Sequence, residues 1–161
     1  MPSAVALCKF VGTISLGLLT GVSYTLSTQS LPSLLTLPSA TPAAYTLAQT
    51  SRLATLHIRT LSTVATLALA SAYYLSPARL RHPYLLWTSL AAAMSGGLNL
   101  AMDKRMKQRV VKGPEEEEIS DVNGEQVEKR AREQQWIEFV RAGVSGVGFV
   151  MGVVGLWGDG A

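Results

Sequence analysis

Tyr73-Tyr-Leu-Ser-Pro-Ala-Arg-Leu-Arg-His-Pro-Tyr-Leu-Leu-Trp87 decides how this chain folds. It is a short cationic connection, bracketed by Pro77 and Pro83, between two long apolar runs. A link this short makes the flanking helices antiparallel, as a helical hairpin. Each run is long enough to be read as a membrane span. Tyr73, Tyr74, Tyr84 and Trp87 cluster at its edges, where an interfacial aromatic belt sits. Arg79, Arg81 and His82 then fall among lipid headgroups.

The whole chain repeats this pattern of apolar runs divided by polar connections. Its 161 residues suffice for one domain. Hydrophobic residues make up 48%, an ordinary share, so it is their arrangement in nearly uncharged runs that points to a membrane. Eight of the fourteen Lys and Arg residues, and nine of the eleven acids, fall between Asp103 and Glu133. The net charge of +3 therefore describes one segment and not a basic face, which argues against nucleic acid as a partner. The single Cys8 excludes an intramolecular disulfide framework and a cysteine-rich metal site.

Four spans are expected, at about 4–25, 60–76, 84–102 and 136–157, giving an all-α, integral membrane four-helix bundle. The first lacks a basic start and a small-residue cleavage site, and is read as a retained span rather than a leader. Gly17 and Gly21 form a small-xxx-small pair in it, and Gly148 and Gly152 form another in the fourth. Small residues let helix backbones approach closely in lipid, where apolar area alone gives no net drive. Packing within the bundle is the plainer reading of both pairs, and a homodimer through them the sharper one. Lys9 can snorkel to a nearby interface. Residues 26–41 read as a Pro-interrupted loop on the membrane surface, ended by Thr41 as N-cap and Pro42 as first helical residue. The mixed residues 43–59 then lead into the second span.

The third span carries small residues and Asn99, an amide able to bond across helices. A basic cluster, Lys104, Arg105, Lys107, Arg109 and Lys112, stops it. Residues 103–135 are expected to be a charged, partly disordered loop holding the acidic tract Glu115–Glu118. Its final stretch, 125–135, favours helix and feeds span four, which Trp136 and Trp157 bracket. Glu138 and Arg141 stand one turn apart and can pair, with Arg141 snorkelling outward. Loop charge places 103–135 in the cytosol and both termini in the opposite compartment.

The residues carry no recognisable catalytic set. No carboxylate pair is spaced for acid–base work, and no Gly-rich phosphate loop follows a strand. His57 has no His, Cys or carboxylate three or four residues away, so it reads as a structural histidine. The chain is accordingly expected to be no enzyme and to need no cofactor or metal.

Arg81-His82-Pro83-Tyr84-Leu85-Leu86 resembles the hinge of the autophagy-related protein 33 family, fungal mitophagy factors of the mitochondrial outer membrane. Ser15–Gly21 resembles that family's first span. Gly148-Phe149-Val150 and Gly155–Gly160 resemble its last span and tail. The likeness implies a membrane adaptor in selective removal of mitochondria, with the autophagy machinery as partner and no catalytic residues. Receptors of this kind often carry an aromatic-x-x-aliphatic docking motif beside acids. Ile119-Ser120-Asp121-Val122 follows four glutamates but lacks the aromatic, so direct docking through it is not expected. Ser120 in this acidic setting is a candidate phosphorylation site. The gross plan is also similar to that of the small four-span anthrone oxygenases, through Asn99, Trp136 and Arg141. A purely structural membrane-organising protein is the third reading.

Overall fold

The fold was taken from a computed structural model, which describes residues 2–77, 81–111 and 124–158, and for residues 2, 3 and 99–111 the backbone only. The described residues are helical nearly throughout and include no strand. The elements are α1 (Pro2–Thr25), a π-helical turn (Leu26–Ser30), α2 (Leu31–Leu34), α3 (Ala40–Leu75), α4 (Tyr84–Val111) and α5 (Gly124–Gly158).

The four long helices form a ring in which α1 packs on α3 and α5, and α4 packs on α3 and α5. Close approaches fix the register. A Cβ on Gly12 would stand 2.5 Å from Leu69, one on Gly96 2.5 Å from Ser62 Oγ, and one on Gly148 2.9 Å from Ala91. Neighbouring helices are therefore antiparallel all the way round, as the short hinge requires for α3 and α4. Three helical stretches, Ala4–Leu34, Ala40–Leu75 and Gly124–Gly158, are long and apolar enough to cross a membrane.

The interior is mostly small or polar. Thr13, Ser15, Ser23, Ser62, Thr88, Ser95 and Ser145 are buried beside Leu16, Leu19, Leu69 and Leu85. Leu7, Phe10, Leu18, Leu67, Trp87, Val150, Val154 and Trp157 instead point outward. In water a chain buries its large apolar side chains and exposes its polar ones. The opposite pattern suits surroundings as apolar as leucine, where close backbone approach holds helices together.

Three expectations about the polar connections are corrected. Residues 26–34 are not a surface loop: the helical path continues, and Leu31 and Leu34 are buried. Pro32 is tolerated because it lies in the first turn of α2, after a wide turn in which Leu31 N–H bonds Leu26 O. Next, α3 starts at Ala40 after an extended Ser39 (φ −143°, ψ 154°), two residues before Pro42. The first-turn N–H groups lack intrahelical acceptors in any case, so Pro42 costs little there. Lastly, the loop expected over 103–135 is shorter at its start, while the helix expected over 125–135 is present. α4 runs on to Val111 and α5 begins at Gly124. The acidic tract and Ser120 lie outside the described residues.

These extensions create a second core. At about 1.5 Å per residue the 36 residues of α3 span roughly 54 Å, against about 30 Å of bilayer hydrocarbon. The surplus of α1–α2, α3 and α5 gathers at the end away from the hinge. There Leu31, Leu34, Ala43, Leu47, Val127 and Ala131 form a buried apolar cluster of their own. Below it Ser51 Oγ donates to Gln134 Oε1 at 2.6 Å.

Candidate functional site

Two constellations stand out, one at each level of the bundle. The first is the hinge. α3 ends at Leu75, and its last carbonyls have no helical N–H to accept. Arg81 supplies donors from beyond the turn: Nε to Ser76 O at 3.0 Å and Nη2 to Tyr74 O at 3.4 Å. Its charge suits the negative end of the α3 dipole. The guanidinium also lies 5.6 Å from the Tyr73 ring centroid. Pro83 opens α4, its carbonyl accepting from Leu86 and Trp87. The His82 ring stacks on Tyr84 at 6.1 Å, and Lys9 Nζ on α1 sits 6.0 Å from the same Tyr84 ring. Tyr84 fills the space left by Gly155 on α5. Leu85 is wholly buried in the main core, whereas Leu86 is about half exposed. The six motif residues thus join the ends of four helices, and Arg79 lies outside the described residues.

The second constellation is a buried ion pair. Arg141 is fully enclosed and Glu138 nearly so, and Arg141 Nη1 bonds Glu138 Oε1 directly. Arg141 Nε donates to Ser95 O of α4 at 3.0 Å. Ser145 Oγ donates to Arg141 O at 2.8 Å, and Thr20 Oγ1 of α1 lies 3.0 Å from Ser145 Oγ. The pairing of Glu138 with Arg141 is as expected, but its position is not. Arg141 does not snorkel outward, because partners on α4 and α5 satisfy it inside. Glu138 Oε2 and the hydroxyl of Ser23 are buried without a hydrogen-bond partner among the described residues. Sequence reasoning missed this network. The available signal was the recurrence of small hydroxyl residues, Thr13, Thr20 and Ser23, along α1, of which Thr20 meets Ser145 of α5.

The glycine pairs behave differently from each other. A Cβ at Gly17 would stand 2.9 Å from the Phe149 ring, while one at Gly21 would meet nothing within 4 Å. Gly148 faces Ala91, and a Cβ at Gly152 would stand 3.0 Å from Thr13 Oγ1. Gly17, Gly148 and Gly152 are thus occupied within the chain. His57 turns Nδ1 to Leu53 O of its own helix at 2.7 Å.

Comparison with known proteins gives a family. The family model for Autophagy-related protein 33 matches residues 1–136. The Autophagy-related protein 33 of Gibberella zeae is 35% identical over 185 aligned positions, which cover 99% of this chain and 93% of the relative. No solved structure matches.

Proposed function

Because the chain belongs to the autophagy-related protein 33 family, we propose that it is an integral membrane adaptor promoting selective autophagy of mitochondria from their outer membrane. Family membership is the observation that carries this reading. The apolar exterior over a small, polar interior supports the membrane. The helical head beyond the bilayer, with charged side chains on its α5 face, supports a role in recruiting autophagy proteins in the cytosol. In this reading the hinge motif is a structural clasp for the bundle end facing the other compartment. No catalysis is assigned to it.

A second reading, an oxygenase-like small membrane enzyme, has one observation in its favour. A charged pair held inside a membrane bundle is a functional-site hypothesis by default, and Arg141 reaches Ser95, one turn before Asn99. Imaging separates the two. A mitochondrial rim supports the adaptor, and an endoplasmic-reticulum pattern supports the enzyme. Deletion of the chain tests the adaptor directly, through the rate at which a matrix protein is delivered to the vacuole.

A further inference from the structure

A groove of about 430 Å³ runs between α3 and α4, open to the outside of the bundle. Its wall on α3 is Arg59, Ser62, Thr63, Thr66 and Leu67, and on α4 Ala93, Gly96 and Gly97. Its volume lies in the range of small-ligand clefts, roughly 300–1,000 Å³. The cause is local. Gly96 draws the helices together against Ser62, while Ala93 and Gly97 have no side chain long enough to fill the cleft beside that contact. Nothing lies within 4 Å of a Cβ placed on Gly97.

The two ends of the groove differ in chemistry. Ser62 Oγ donates to Arg59 O at 3.1 Å and Thr66 Oγ1 to Ser62 O at 2.7 Å, so two hydroxyls are turned onto their own helix. What remains toward Leu67 is mainly methyl and methylene surface. At the other end, nearest the head, stands the exposed Arg59, whose guanidinium carries five N–H donors and so can take up an anion beside its contact within the chain. Arg59 to Leu67 covers about 12 Å along the helix, from the level of a bilayer interface into its hydrocarbon. A cleft left empty there would forfeit dispersion contacts on one side.

From this arrangement we infer that the α3–α4 groove is a binding site for an anionic phospholipid. Arg59 holds the phosphate, and one acyl chain lies along Thr66, Leu67, Ala93 and Gly97. The assignment rests on the proposed membrane reading. A charged donor above an apolar trough fits an amphiphile with an anionic head, whereas a second copy of the chain would have to accommodate Arg59 in its own apolar exterior.

The test uses the full chain in nanodiscs of phosphatidylcholine containing phosphatidylglycerol, released into mild detergent for native mass spectrometry. Wild type is expected to retain phosphatidylglycerol in preference to phosphatidylcholine. Gly97→Leu places a side chain in the groove without an internal clash, and is expected to abolish retention while leaving thermal unfolding unchanged. Arg59→Gln is expected to lower the preference for the anionic lipid about tenfold. Wild-type retention by Gly97→Leu overturns the proposal. So does a fall from dimer to monomer in that variant with lipid unchanged, which gives the groove to a second copy. Alkaline extraction of the chain from membranes separates the two failures. A chain released at high pH sinks the membrane reading itself, and a chain that stays embedded while Gly97→Leu keeps its lipid sinks only the groove.

Discussion

Arg141 of α5 reaches across the bundle to donate from Nε to the main-chain carbonyl of Ser95 on α4, at 3.0 Å, while its other arm holds Glu138. Two helices are therefore joined by a charge that its own i−3 neighbour neutralises. Breaking such a pair from one side leaves a buried charge without compensation, which costs about 3–5 kcal/mol. Arg141→Met should therefore lower thermal stability in detergent sharply, and Glu138→Leu combined with it should recover most of the loss. Equal stability of the single variant and wild type contradicts the buried-pair account.

Gly17 and Gly21 look alike in sequence but differ in surroundings. Gly17→Leu must displace the Phe149 ring and should cost about 1–3 kcal/mol, the usual range for overpacking. Gly21→Leu meets open space and should leave thermal unfolding nearly unchanged. Equal losses from both would mean that the glycines pack as one interface, as between two chains.

Pro32 and Gln135 form a third relationship. Pro32, in the first turn of α2, has no N–H with which to continue the wide turn's five-residue bonding pattern to Ser27 O, and Gln135 Nε2 donates to that carbonyl at 2.9 Å. Gln135→Leu should cost about 1–3 kcal/mol by leaving the carbonyl unpaired. In a Pro32→Ala background, where an N–H is restored, the same change should cost clearly less. Additive losses in the double variant argue against the exchange of donors.

The head core gives a test of partial unfolding. Leu31 is fully buried between α2, α3 and α5, so Leu31→Ala should cost about 2–5 kcal/mol in this cluster. Limited proteolysis should then cut within residues 26–47 and 124–135 while the rest of the bundle stays intact. Uniform protection would show the head and bundle to be one cooperative unit.

The four long helices were legible in the sequence because each contains a nearly uncharged stretch, although only three are long and apolar enough to cross a membrane, and the hinge because its prolines and cations interrupt two of them. Gly148 and Gly152 were legible as close-approach sites for the same reason that Gly17 was, since small residues recur every fourth position. Less visible were features that depend on what lies opposite. Pro32 reads as a breaker until the preceding wide turn and Gln135 absorb its missing donor. Arg141 reads as an outward-reaching cation until Ser95 and Glu138 are brought around it. The head core is hidden because Leu31, Leu47 and Val127 come from three separate polar stretches, none of which shows an apolar run of its own.

The most direct test of the central claim is mitochondrial turnover. The gene is deleted, cells are starved or held in stationary phase, and vacuolar processing of a tagged matrix protein is followed beside a marker of bulk autophagy. The account predicts that matrix-protein processing falls while bulk autophagy continues at its normal rate. Normal processing of the matrix protein in the deleted strain would contradict it.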